Sequence, residues 1–192
     1  VAEVKLNRPN QSNALNLDCF HEIIEIGEKL SSCDRVRSVV LTGSGKNFCA
    51  GLDKSMFPRS EKDKEWFVAL VQKKYQPSGT NIFQRCALIW QEIPVPVIAA
   101  IQGAAIGGGC QLALGADVRI ASTNSRFALM ESHWGLIPDM AATKTLPPLL
   151  RGDIAAELIF TSRIVNAEEA LNIGLITSIS DNHQEDAYSL AK

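Results

Sequence analysis

The sequence predicts an α/β fold, and three observations carry that reading. Three short apolar, β-branched runs each end in glycine or another small residue: Val36 to Gly43, Pro96 to Gly103 and Asp117 to Ser122. Runs of that length and composition read as buried strands. Helical patterns separate them, and strands alternating with helices build a sheet flanked by helices. The third observation is length: 192 residues suffice for one well-buried core and fall short of two ordinary domains, so residues 1–192 are expected to form a single domain.

The elements follow in order. Val1 already lies in a strand-like segment, so the natural N-terminus is expected upstream of it. Leu17 to Leu30 forms a helix, with Phe20, Ile23, Ile24 and the stem of Lys29 recurring near a 3.6 period after Asn16 as N-cap. Residues 54 to 80 are rich in charge and contain a Pro77-Ser78-Gly79 break, which predicts a surface excursion around a short helix near Trp66. The charge-free stretch Ile93 to Ala116 is long enough to raise a membrane span. Pro94, Pro96, Gln102, Gln111 and the glycines at 103, 107, 108 and 109 divide it instead into a strand, a turn and a helix start. The last third is helical, and includes apolar helices at Leu146–Leu150 and Leu158–Phe160 that are expected to leave uncovered apolar surface. Asn166-Ala167-Glu168-Glu169 can form a capping-box-like start and Gly174 stands where a C′ glycine ends a helix. A strand from Leu175 to Ile179 follows, and the polar segment Ser180 to Lys192 closes the sequence.

Composition excludes several functions. Nineteen basic against twenty-one acidic residues give a net charge of −2, with no basic stripe and no interleaved aromatics, so nucleic acid is not an expected partner. Cysteines 19, 33, 49, 86 and 110 form no C-x-x-C pair. They read as buried thiols in a reducing compartment, without a disulfide frame or metal site.

Three segments carry candidate chemistry. Gly107-Gly108-Gly109 opens an apolar helix containing Gln111. Glycines let a ligand approach the main chain, and the first amides of a helix lack intrahelical acceptors and sit at the positive end of its dipole, which suits a developing oxyanion. Tight packing alone would also explain them, and the spacing is not that of a dinucleotide-binding loop. Ala50-Gly51-Leu52-Asp53 can supply a second backbone donor, although Asp53 serves equally well as a cap on neighbouring amides. Glu131 follows an apolar run and Asp139 stands between Pro138 and Met140. Carboxylates in such surroundings have raised pKa values suited to proton exchange with a carbon acid, while a pairing role within the core is the structural alternative for Glu131. A Ser132-His133 nucleophile pair is set aside, because adjacent extended residues point to opposite faces and no G-x-S-x-G is present.

Taken together, these segments resemble the enoyl-CoA hydratase/isomerase (crotonase) superfamily. The likeness runs through Leu6-Asn7-Arg8-Pro9, Asn13-Ala14-Leu15-Asn16, Phe48 to Asp53, Pro96 to Ala100, Gly107 to Gln111, Ala116 to Arg119, Glu131 to Asp139, and Ala167 to Leu175. The resemblance implies a spiral of ββα units binding an acyl-CoA thioester, assembled as a homotrimer or hexamer, with coenzyme A part of the substrate and no separate cofactor or metal. It places the oxyanion hole on the amides of Leu52 and Gly108, substrate contacts on Ala50, Gly51, Leu52, Asp53, Gly107 and Gly108, and catalytic acid/base positions on Gln111, Glu131 and Asp139. It implies a location in the cytoplasm for a bacterial protein and in the mitochondrion or peroxisome for a eukaryotic one.

The chain departs from the hydratase pattern in two ways. Hydratases of the family carry glutamate where this chain has Gln111, and an amide orients water without taking its proton. They have glycine where this chain has Asp139, whereas dienoyl-CoA isomerases have aspartate there, and aspartate also at the position of Gln111. Glu131 with Asp139 therefore resembles an isomerase pair, giving double-bond isomerisation as the leading expectation. Hydration through Glu131 alone, and CoA-ester binding without turnover, are the alternatives. Family members also continue for roughly sixty or more residues beyond the point matching Lys192, forming C-terminal helices that add burial a full domain of this class needs.

Overall fold

The computed structural model describes all of residues 1–192. Five parallel strands form the main sheet in the order β1 (Ala2–Leu6), β2 (Val39–Gly43), β3 (Val97–Ile101), β5 (Val118–Ala121), β8 (Ser178–Ile179). A second sheet, β4 (Ala104–Ile106), β6 (Arg126–Ala128) and β7 (Val165–Asn166), pairs β4 with β6 in parallel and β6 with β7 antiparallel. The chain passes repeatedly from one sheet to the other: β3 turns at Gly103 into β4, and β5 turns into β6. Gly103 has φ +57°, and a Cβ there would lie 2.2 Å from the Lys46 carbonyl oxygen, so only glycine fits this turn.

The three strands read from sequence are present within their boundaries as β2, β3 and β5. All residues of β2 and β3 are buried, because both faces of the sheet are covered. On one face, α1 (Leu17–Ser31) packs Phe20, Ile23 and Ile24 into a core shared with Val39, Leu41 and Ile101. Asn16 caps α1 by accepting a hydrogen bond from the Cys19 amide at 3.0 Å. Lys29 does not join that face; its exposed amine pairs with Glu25 at 2.6 Å across one helical turn. On the other face lie Val40, Ile98, Ala100 and Ile120. What covers them was not expected: the polar tail Ser180–Lys192 contains α8 (His183–Leu190), which with its C-cap packs Ala187 and Ala191 onto the sheet. The expected Leu175–Ile179 strand is confined to β8, since Leu175 and Ile176 turn into the core.

The excursion at 54–80 contains α2 (Glu61–Gln72), with Trp66 exposed, and leads to α3 (Ile82–Leu88). The stretch from Ile93 to Ala116 resolves into β3, β4 and α4 (Gly108–Ala113), and no helix is long and apolar enough to cross a membrane. After α5 (Ala142–Thr145) and α6 (Gly152–Thr161), Asn166 caps α7 (Ala167–Asn172) through the Glu169 amide at 2.8 Å, and Gly174 follows it at φ +85°. The second half of the expected capping box does not form, because the Glu169 carboxylate pairs with Arg163 at 2.6 Å.

The apolar surface expected around Leu146–Leu150 and Leu158–Phe160 is confined to the second stretch, where Phe160 and the following Ile164 are exposed. Leu146, Leu150 and Leu158 are buried within the chain, Leu158 against Cys110, Phe127, Leu129 and Val165. Phe160 alone of the leucines and phenylalanine named there is fully presented to solvent, at 78% exposure. All five cysteines are free thiols; Cys49, Cys86 and Cys110 are buried and Cys19 and Cys33 half-buried.

Candidate active site

Two main-chain segments meet along β4. Cys49 bridges Ala105 in parallel, its amide donating to the Ala104 carbonyl at 2.9 Å and its carbonyl accepting from the Ile106 amide at 3.0 Å. This register brings Gly51 against the start of α4. Gly51 has φ +94°, and a Cβ on it would sit 2.7 Å from the Ile106 carbonyl oxygen and 3.4 Å from the Gly108 amide nitrogen. Gly109 is closer still, with its missing Cβ 2.2 Å from the Cys49 carbonyl oxygen. The glycine run is therefore needed for contact between two backbones, the second of the two readings its sequence allowed.

The same packing leaves two amides without acceptors. Leu52 bridges Leu15, and the bonds of that bridge are made by its neighbours: the Leu15 amide donates to the Gly51 carbonyl at 2.8 Å and the Asp53 amide to the Leu15 carbonyl at 2.9 Å. The Leu52 amide consequently points the other way and donates to nothing in the chain. The Gly108 amide, first in α4, has no acceptor either. Both residues line one cavity of about 560 Å³, together with Ala50, Gly51, Gly107, Glu131 and Asp139.

Glu131 opens a 3-10 turn, Glu131–Trp134, that follows β6, and it is only 8% exposed. Gln111 Nε2 donates to Glu131 Oε1 at 2.6 Å, while Gln111 Oε1 accepts from the Ala142 amide at 3.1 Å. One carboxylate oxygen is thus held and the other, Oε2, has no partner. Burial raises the Glu131 pKa above the ordinary carboxylate range; its own amide and Gln111 offset part of that rise, and the Asp139 charge adds to it. Asp139 is half-buried in the same cavity, and burial raises its pKa as well. The salt bridge that a core role for Glu131 would need is not formed: no Lys or Arg pairs with it.

Two residues expected in the site lie beside it. Gln111 is fully buried behind Glu131, with both ends of its amide engaged, and does not line the cavity. Asp53 turns away: its carboxylate pairs with Arg8 at 2.8 Å and caps the Ser55 amide at 2.9 Å, the structural role its sequence context left open. Ser132 and His133 form no nucleophilic pair. The Ser132 hydroxyl bonds Ser162 Oγ at 2.6 Å and the Ile159 carbonyl, which pins the Glu131–Trp134 turn to the end of α6, and His133 is exposed. Burial pushes the Cys110 thiol up to about 12, which leaves it neutral and unreactive. No group of three or more His, Cys, Asp or Glu side chains is placed to hold a metal ion.

Sequence reasoning missed the rest of the lining. Phe57, Phe67, Phe83, Trp134, Met130 and Met140 form the apolar wall with Leu52, Ile106 and Leu136, and Lys54 and Arg59 are exposed cations at the same cavity with no acidic side chain paired to them. These residues come from separate segments whose convergence no local periodicity announces.

An apolar cavity with two free amides and two carboxylates of raised pKa can hold a carbonyl oxygen as it gains charge and exchange protons with the adjoining carbons. The fold defines a protein of the crotonase class. The chain belongs to the enoyl-CoA hydratase/isomerase family, whose family model matches residues 1–191. It is 37% identical over 180 residues to a short-chain-enoyl-CoA hydratase of Clostridium acetobutylicum, covering 93% of this chain and 65% of that protein. It is 34% identical over 188 residues to the human mitochondrial Δ(3,5)-Δ(2,4)-dienoyl-CoA isomerase, covering 93% of this chain and 55% of that one. A crystal structure of an enoyl-CoA hydratase from Bacillus anthracis superposes with a TM-score of 0.85 at 33% identity, covering 98% of this chain and 70% of the other. The chain thus spans just under two thirds of the length of the Clostridium relative.

Proposed function

We propose that this site binds an acyl-CoA thioester and moves a carbon–carbon double bond by proton transfer. The observation that carries the reading is the pairing of Glu131 and Asp139 in one cavity with the unbonded amides of Leu52 and Gly108. The thioester oxygen accepts from both amides. Oε2 of Glu131, the oxygen without a partner, removes a proton from the carbon next to the carbonyl. The electron pair released passes into the carbonyl as an enolate, whose charge the two preorganised donors hold at no reorganisation cost. Asp139, whose pKa burial raises, delivers a proton from its acid form to a carbon further along the conjugated system, and the double bond comes to rest one position over. The proton on Glu131 then returns to Asp139, so neither carboxyl is consumed. The like charge of the two groups favours one shared proton between them.

Gln111 acts through Glu131, holding Oε1 by its hydrogen bond and leaving Oε2 as the oxygen free to take a proton. The free cations Lys54 and Arg59 suit the phosphates of coenzyme A, which enters as part of the substrate. The second reading, hydration with Glu131 as sole base, has in its favour that an unpartnered Oε2 can bind a water and that the Clostridium relative is named a hydratase. A trimeric assembly and the whole protein's substrate range are carried by the family likeness alone.

The test is an assay of the purified protein against 3-enoyl-, 3,5-dienoyl- and 2-enoyl-CoA thioesters in D₂O, followed by mass and ultraviolet absorption. Double-bond migration with deuterium incorporated along the chain supports isomerisation. Addition of water without migration supports the second reading, and thioester binding without any turnover refutes both.

A further inference from the structure

The composition of the cavity wall extends the acyl-thioester reading, on which this inference rests, to the kind of acyl group. The chain holds seven Phe, three Trp and two Tyr, and four of those aromatics, Phe57, Phe67, Phe83 and Trp134, line this cavity. Two of its three methionines, Met130 and Met140, do so as well. The aromatics form two pairs. Phe57 and Trp134 stand with ring centroids 5.9 Å apart at 50°, and Phe67 and Phe83 at 5.3 Å and 33°. The first pair is supplied by the segment after Leu52 and by the Glu131–Trp134 turn, the second by α2 and α3.

The chemistry fixes which end of a thioester meets this wall. Glu131 and Asp139 must reach carbons of the acyl group; Met130 and Met140 adjoin them in the chain, and Trp134 ends the turn that Glu131 opens. Trp134, and with it the Phe57 ring paired to it, therefore flanks the acyl portion, and Phe67 and Phe83 line the same cavity. We propose that the acyl end of the cavity is built for an arene, so that an aryl-bearing enoyl thioester is preferred to a straight alkyl one.

Flat, rigid walls with a negative face and a positive edge reward a ligand ring by edge-to-face and offset contacts that an alkyl chain cannot make. Polarisable thioethers add contacts at a ring's edge. A flexible chain must also give up rotational freedom in such a slot, whereas a ring has little to lose. Leu52, Ile106 and Leu136 line the cavity as well and would serve an alkyl chain; the two ring pairs are what set an arene apart.

The experiment compares two saturated, unreactive thioesters, 3-phenylpropanoyl-CoA and octanoyl-CoA, by calorimetric titration of the protein. Burial of apolar area alone favours octanoyl, with its longer chain. The expected result is at least tenfold tighter binding of the phenyl compound, about 1.4 kcal/mol. Phe67→Leu and Trp134→Leu, checked for unchanged circular dichroism, should each reduce that ratio, and together bring it to about one or below. Equal affinities, tighter octanoyl binding, or a phenyl preference that survives both substitutions overturns the inference while leaving the acyl-CoA reading standing. Failure of both thioesters to bind overturns the acyl-CoA reading and this inference with it.

Discussion

Gly109→Ala should inactivate the protein by separating two backbones, without touching any group that contacts substrate. The added Cβ would lie 2.2 Å from the Cys49 carbonyl oxygen and 2.8 Å from the Cys49 carbonyl carbon. Ordinary carbon–oxygen contact is about 3.3 Å, so helix α4 must withdraw by about 1 Å. The obstacle cannot rotate aside, because the Cys49 amide and carbonyl are both bonded to the β4 segment at 2.9 and 3.0 Å. That withdrawal moves the Gly108 amide away from the Leu52 amide, and a misplacement of about 1 Å at a reacting centre costs on the order of 10²-fold in rate. Overpacking should also cost about 1–3 kcal/mol of stability, a fall in Tm of roughly 2–12 °C for a chain of this size.

Two controls separate these effects. Gly115→Ala meets the Ala87 carbonyl oxygen at 2.0 Å beyond the far end of α4, and should lose comparable stability with kcat kept. Gly152→Ala meets nothing within 4 Å and should be neutral or slightly stabilising. The measurements are kcat and KM for double-bond migration, alongside thermal melts of each variant. Wild-type kcat in Gly109→Ala, or an equal loss of kcat in Gly115→Ala, would refute the claim that close approach of the two segments sets the donors.

Further outcomes follow from the charges. Glu131→Gln should lower turnover by about 10² or more with little effect on thioester affinity. Because the folded protein raises the Glu131 pKa, ionising this group costs stability: the cost is absent at pH below its unfolded value and grows as pH rises through the folded one. Urea melts should therefore favour the glutamine variant more at pH 8 than at pH 5, and equal differences at the two values would contradict that sign. Gln111→Glu replaces a 2.6 Å amide contact with a second carboxylate against Glu131, which should raise one pKa of the pair and introduce pH-dependent hydration; an unchanged ratio of hydration to migration would assign the choice of reaction to Asp139 or to cavity shape. Asp53→Ala should cost about 0.5–2 kcal/mol by removing a cap. The Asp53 pKa is lowered by the Ser55 amide and Arg8, so this contribution is present above the unfolded carboxylate pKa and lost as pH falls through the folded one. Since Asp53 does not line the cavity, KM should hold, and a large rise in KM would restore it to the substrate site.

The parts of the fold legible in the sequence were those encoded by neighbours along the chain. Strands β2, β3 and β5 declare themselves as apolar runs because both faces of the sheet are covered, and α1 and α7 by asparagine caps whose side chains reach amides three residues on. Helix α8 was not read, because what it and its C-cap bury is a pair of alanines four apart, too small a signal after the polar and charged run Asp181 to Asp186. Glu131 and Asp139 were legible as carboxylates in apolar context. The orientation of Gln111 was not, because it depends on an amide contributed by Ala142, thirty-one positions away. The aromatic wall stayed hidden for the same reason, being assembled from side chains that only the tertiary structure brings together.

The bridge between Leu15 and Leu52 bears on how this protein can diverge. Along an extended segment, successive amides face opposite sides, so the donor offered to the cavity is chosen by odd-or-even position counted from that bridge. The side chain at 52 has no say in it; any residue but proline would offer the same N–H. Substitutions there are free to reshape what the protein accepts while the donor persists. An insertion or deletion of a single residue between Cys49 and Asp53 would instead turn the Leu52 amide toward Leu15 and take from the cavity the N–H on which the proposed function relies. Variation among descendants of this sequence should accordingly be rich in exchanges across that stretch and nearly devoid of changes in its length.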